Sequence, residues 1–183
     1  MPTLDDLHLA MGEFLTESAH VENMMLSLVI ACQLNRDMHD VFVEFMGKTF
    51  GGKIDSFKAA CRTHTFSDTH RTTLLEVNED LDKLLPKRNF IVHGTTYQIG
   101  KGDIPAQPYR IGMTKGDRDS MNQVIAQNFN VPHAFTTDKI KSTTAEFVAV
   151  RATLAAVVIE VWKAFAEKPG SEKTVRLIGP QGA

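Results

Sequence analysis

The sequence predicts a mainly α fold, a helical bundle carrying a small β-hairpin insert, on three observations. Apolar residues recur at three- and four-residue steps through most of the first half of the chain. That period is lost in a Gly- and Pro-rich stretch, TTYQIGKGDIPAQPYRIGMTKGD, from Thr95 to Asp117. It returns in a long run from Ile140 to Phe165.

Each element follows from local chemistry. Thr3 reads as an N-cap, with Asp5 and Asp6 in the first turn, where the helix dipole favours negative charge. Leu4, Leu7, Met11, Phe14, Val21, Met25, Leu28 and Cys32 then form a helical stripe running to about Leu34. Asp37 caps a short second helix carrying Val41, Phe42, Phe45 and Met46, closed by Gly47. A break at Gly51-Gly52 precedes a third helix with Ile54, Phe57 and Cys61. THTFSD is a loop ending in an N-cap at Ser67 or Asp68. The fourth helix places Leu74, Val77, Leu81, Leu84, Leu85, Ile91 and Val92 on its apolar side, with Pro86 as a point of kinking or restart.

Strand candidates at Tyr97–Ile99 and Tyr109–Met113 make a hairpin of the insert, about residues 95–117. The stretch from Ser120 to Phe135 is ambiguous. Thr136, Thr137 and Asp138 supply cap chemistry for a final helix of about 45 Å at 1.5 Å per residue. Residues 1–168 read as a single domain and 169–183 as a polar tail.

Bulk properties narrow the function classes. The 183 residues suit one domain with a sizeable core, and 43% hydrophobic with 23% charged residues is ordinary for a soluble protein. A net charge of -2 excludes a partner held by overall basic charge, though not a local basic groove. Cys32 and Cys61, without CxxC spacing, read as reduced, buried thiols. The acidic N-terminus lacks an apolar signal region, and no apolar run approaches a membrane span of about 20 residues. The expectation is a cytoplasmic chain with no membrane partner.

Most chemical motifs are missing. The seven histidines are scattered, so the sequence offers no metal site. His64 and His70 flank a loop containing Asp68, which reads as solvated, and His20 with Glu22 reads as an exposed pair. Neither a phosphate-cradling glycine loop nor GxSxG occurs, so no cofactor is expected and no serine nucleophile is supported.

What remains is KRNFIVHG, Lys87 to Gly94. Arg88 falls near the centre of the apolar stripe, where a leucine is expected, and a guanidinium directed at a core must be paired or line a cavity. Asn89 and His93 are an i, i+4 pair and share a face, while Phe90 points to the opposite side. In one reading Arg88 makes a structural ion pair, with Glu22 or Glu79, and His93 caps the helix before Gly94.

The other reading rests on resemblance. RNFIVHG resembles the R-x4-6-H signature of the HEPN superfamily, in which a polar residue, commonly Asn, often follows the arginine. A long first helix, a motif ending a middle helix and a long closing helix also fit that family. The resemblance implies an all-helical bundle that dimerises, joining two motifs around one cleft. It further implies either a metal-independent endoribonuclease (a toxin, defence or RNA-processing effector) or a non-catalytic module binding RNA or a protein partner such as an antitoxin. Carried over, His93 is the general acid/base, Arg88 stabilises the charged phosphorane, and Asn89 orients His93 or contacts the phosphate.

Arg88 and His93 lie about 140° apart on an ideal helix, so they converge poorly within one chain and a site shared by two chains is expected. Lys83, Lys87, Lys101 and Arg110 are candidates for a local phosphate-attracting field. One departure concerns control. Some family toxins carry a modifiable tyrosine two residues after the histidine, where this chain has Thr95, with Tyr97 two further on.

Overall fold

A computed structural model describes residues 2–101, 104–111 and 134–166. Residues 102–103 and 112–117 of the expected insert, the stretch 120–133 and the tail 169–183 lie outside the described residues. The described chain is mainly helical: α1 (Leu4–Cys32), α2 (Met38–Met46), α3 (Phe50–Thr63), α4 (Asp68–His93) and α5 (Thr137–Ala166). Between α4 and α5, β1 (Thr95–Lys101) pairs antiparallel with β2 (Ile104–Ile111), which in turn pairs with β3 (Ala134–Phe135). Thr96 lies opposite Arg110, and Arg110 opposite Phe135.

The helix starts are set by short polar side chains that satisfy otherwise orphaned N–H groups. Thr3 Oγ1 accepts from Asp6 N at 3.2 Å, and Asp6 Oδ2 accepts in return from Thr3 N at 2.7 Å, a reciprocal cap. Asp37 accepts from His39 N and Asp40 N, Ser67 from His70 N, and Thr136 from Lys139 N. Ser67 rather than Asp68 therefore caps α4.

Gly51-Gly52 does not break the chain. Thr49 Oγ1 accepts from Gly52 N at 3.3 Å, so both glycines lie inside the first turn of α3. A Cβ at Gly52 would stand 3.3 Å from Lys48 Cβ and 3.5 Å from the capping hydroxyl, so the position is glycine for close approach. Pro86 likewise sits inside a continuous α4 rather than restarting it.

Contacts group the residues into two compact units. The first comprises Met1–Val21 and Glu79–Arg151. Its core draws Leu7, Ala10 and Phe14 from α1, Leu81, Leu84 and Ile91 from α4, and Ile140, Phe147 and Val150 from α5, all buried. The Phe14 and Phe147 rings meet edge-on at 5.3 Å, a favoured aromatic geometry. Glu17, beside the buried Ser18, forms an ion pair with Arg151, its carboxylate 2.8 Å from Nε.

The second unit comprises Glu22–Asn78 and Ala152–Ala183. Met25, Leu28 and Val29 of α1, Phe45 of α2, Ile54 and Phe57 of α3, Leu74 and Val77 of α4, and Leu154, Val157 and Val161 of α5 are its buried side chains. Lys53 is 7% exposed, pairs with the Glu22 carboxylate, and sits 5.7 Å from the Phe45 ring centroid. Burying both charges is tolerable only because each compensates the other.

The α5 seam is a seven-residue repeat. Ile140, Thr143, Phe147, Val150, Leu154, Val157 and Val161 alternate steps of three and four, and all are buried. Thr143 is accommodated because its hydroxyl donates to Lys139 O at 2.8 Å, one turn back.

Two predictions follow from the second unit. Lys53→Met alone should cost about 3 kcal/mol in urea unfolding, because it strands the buried Glu22 carboxylate, and adding Glu22→Leu should recover most of it. Equal losses in the single and double variants would sink that account. Burial pushes the Cys32 thiol up to about 11 and the Cys61 thiol up to about 12. Alkylation by iodoacetamide at pH 8 should be slower in the folded than in the unfolded chain by about two-hundredfold at Cys32 and about two-thousandfold at Cys61, from the thiolate fraction alone.

Candidate functional site

Pro86 removes one N–H from the α4 ladder, and only a short segment follows it, too short to hold helical form by itself. Two anchors hold it. Ile91 is fully buried, which fixes the rotation of the last two turns. From β2, Arg110 reaches the helix end: its Nε donates to Ile91 O at 2.8 Å and its Nη2 to Val92 O at 3.0 Å. Its Nη1 donates to Thr96 Oγ1 at 3.3 Å. A cation here also meets the negative end of the helix dipole. Burial lowers the Arg110 guanidinium from its ordinary value, and it stays charged.

This anchoring sets the motif. Asn89 and His93 are exposed and Arg88 is half-buried. The imidazole thus opens onto the surface instead of being sealed in a core, and Arg110, not His93, caps the final carbonyls. The three described donors of Arg110 are committed to that cap and to Thr96. Lys101 ends β1, and its side chain lies outside the described residues.

The side of α4 turned away from Arg88 carries an open groove of about 560 Å³. One wall is Lys83, Pro86, Lys87 and Phe90 on α4, a stripe with i, i+3, i+4, i+7 spacing; the other is Lys139, Ser142, Thr143 and Glu146 on α5, with the same spacing; Phe135 of β3 completes it. Both carboxylate oxygens of Glu146 accept from Lys87 Nζ, at 2.8 and 2.6 Å. Lys83 Nζ donates to Asp80 at 3.0 Å, and Asp80 holds that ammonium above its usual value. Lys139 Nζ stands 4.7 Å from the Phe135 ring centroid.

At about 100° per residue, His93 lies about 60° around the helix from Phe90 and one turn further on, whereas Arg88 lies about 160° away. The α4 stripe that lines the groove therefore lies nearer in angle to the imidazole than to the guanidinium. Of the sequence candidates, Lys83 and Lys87 come together here, and His93 is not among the lining residues. Lys139 and Glu146 were not anticipated, because reading α5 for its apolar seam passes over its polar face, and Phe135 falls in the stretch that the sequence leaves ambiguous. The signal was present in the repeat of Lys139, Ser142, Thr143 and Glu146.

Elsewhere, a smaller cleft of about 250 Å³ in the second unit is lined by Cys61, Arg62, Phe66, Arg71, Leu74 and Leu75. Its thiol is held protonated by burial and is a poor nucleophile. His20 and Glu22 do not form the expected pair. Residues two apart on a helix do not face each other, so His20 Nδ1 approaches Glu17 at 3.6 Å while Glu22 holds Lys53. Among the described residues no group of three or more His, Cys, Asp or Glu is placed to hold a metal ion, and no helix is long and apolar enough to cross a membrane.

No family model, no curated protein and no solved structure matches the chain.

Proposed function

We propose that this chain is a HEPN-type endoribonuclease that works without a metal ion and as a pair of chains. In this reading the fold is a HEPN-like bundle with the β1–β2 hairpin as its insert. The observation that carries the proposal is the exposure of Asn89 and His93 on the last turn of α4, beside a half-buried Arg88. The capping role open to the histidine is filled by Arg110 instead.

The chemistry asked of these residues is simple. His93 accepts the proton of a ribose 2′-OH, the 2′-oxygen attacks the adjacent phosphorus, and the bond from phosphorus to the 5′-oxygen breaks. The leaving 5′-oxygen takes a proton from the second chain's imidazole, and the products are a 2′,3′-cyclic phosphate and a 5′-hydroxyl. Arg88 stabilises the charge that builds on the phosphoryl oxygens, and Asn89 orients His93 or the phosphate. The 2′-OH is the nucleophile, so no metal-bound water is required. The wide angle between Arg88 and His93 on one helix supports a composite site, in which each arginine serves the other chain's histidine.

A second reading is favoured by the groove itself: Lys83, Lys87 and Lys139 furnish a basic surface that does not depend on the motif. On that reading the chain binds RNA, or an antitoxin-like protein partner, without cleaving it.

Single-stranded RNA cleavage should persist in EDTA, vanish on 2′-deoxy substitution and be abolished by His93→Ala. Arg88→Ala should cost about 3 kcal/mol in the transition state, about two orders of magnitude in rate. Activity lost on chelation, or surviving without His93, would overturn the mechanism.

Pairing has its own test. When wild-type chains are diluted with His93→Ala chains and allowed to exchange, activity should fall as the square of the wild-type fraction. A linear fall would mean that each chain cleaves alone.

A further inference from the structure

The groove between the Lys83–Phe90 stripe and the Lys139–Glu146 stripe has no role in the proton transfers just described. Its lining combines three ammonium groups, a single carboxylate and an apolar floor that includes the half-buried ring of Phe90. A volume of about 560 Å³ falls within the range of about 300–1,000 Å³ usual for small-ligand clefts. Cations on opposing walls around an aromatic ring suit a ligand that is flat and apolar in one part and anionic in another.

The geometry points to a subsite for one nucleotide of single-stranded RNA, its base against Phe90 and its phosphate between Lys87 and Lys139, next to the nucleotide cleaved at His93. The inference rests on the ribonuclease reading for the identity of the strand, and it adds where the strand lies. Three features support it. The α4 wall of the groove spans Lys83 to Phe90, and His93 is one turn past Phe90. Lys87 and Lys139 approach from different helices, so a phosphate placed between them is held from both sides. Finally, both oxygens of Glu146 already bind Lys87, so a phosphate must compete with that carboxylate for the Lys87 ammonium. Ligand binding must displace that carboxylate, and Glu146 thereby acts as an internal competitor for the anion.

The competitor provides a signature that a merely structural ion pair would not show. A labelled single-stranded 2′-O-methyl oligouridylate, which cannot be cleaved through its 2′-position, is titrated into the full chain at several salt concentrations. Glu146→Gln should tighten binding at least about threefold by removing the competing charge. Lys139→Gln should weaken it and reduce the slope of log affinity against log salt by about 0.7, the value for one ionic contact on a single strand. Phe90→Leu, which keeps an apolar side chain but removes the ring, should weaken it about fivefold or more with the salt slope unchanged, as expected for lost stacking. Circular dichroism on each variant checks that helix content is retained.

Unchanged or weaker binding by Glu146→Gln together with indifference to Lys139→Gln would overturn the subsite. So would equal competition by inorganic polyphosphate or oligoglutamate with no effect of Phe90→Leu, because the groove would then recognise charge alone. Failure of the subsite and failure of the ribonuclease reading are distinguishable. RNA cleavage by wild type that is unmoved by all three substitutions removes the subsite and leaves the catalytic reading standing. The three expected binding changes in a protein that cleaves no RNA remove catalysis and retain the subsite.

Discussion

Two carbonyls at the end of α4, those of Ile91 and Val92, are held by one guanidinium from β2, and the surface around the motif depends on this contact. Helices of a few residues are unstable alone in water, because nucleation costs more than a few hydrogen bonds return. Pro86 adds to that difficulty by deleting a donor just before the motif. Burial of Ile91 and the Arg110 cap together make the last turns hold, and with them the directions of Arg88, Asn89 and His93. The helix end and the neighbouring strands are in this respect one unit of structure: without β2 the carbonyls would need water or another cation, and the motif would lose its fixed orientation.

The same turn also presents two different surfaces. One carries the exposed amide and imidazole; the other carries Lys83, Lys87 and Phe90 toward α5. A net charge of only -2 hides this arrangement, because it sums over the whole chain, including pairs such as Lys48 with Glu44 and Lys163 with Glu160. Such exposed pairs contribute little to stability. The lysines of the groove are gathered across two helices, with Lys83 matched by Asp80 and Lys87 by Glu146, so a backbone phosphate reaching them competes with those carboxylates.

How much of this was legible in the sequence depends on the range of each interaction. Caps at Thr3, Asp37 and Thr136 could be read because donor and acceptor lie within a turn. The apolar seam of α5 was legible because burial repeats with the helix. Gly51-Gly52 misled because glycine marks both a chain break and a crowded first turn, and only the close approach of Lys48 to Gly52 separates the two. Glu22 was misassigned to His20, since its real partner Lys53 lies on another helix. The Arg110 cap joins groups 18 and 19 positions apart, and Lys87 meets Glu146 across 59. Pairings at that distance leave no periodic trace, so Arg110 looked like a free basic residue. The motif histidine was found because its chemistry is concentrated in a few adjacent letters.

The repeat along α5 raises a separate question of uniqueness. A strict alternation of three and four looks almost the same after a slide of seven residues, about 10.5 Å along the axis. A polar residue in such a seam often fixes alignment by demanding a partner across the interface. Thr143 makes no such demand, because its hydroxyl bonds to its own helix and would be content at any level. Phe147 is different: its ring is fully buried and fits edge-on against Phe14. Displaced by one repeat, that ring would collide with a space cut for an aliphatic side chain and leave a void behind it, each a penalty of kilocalories. In the first unit, therefore, shape at one aromatic pair indexes the helix, a task that neither the repeat nor its polar member performs.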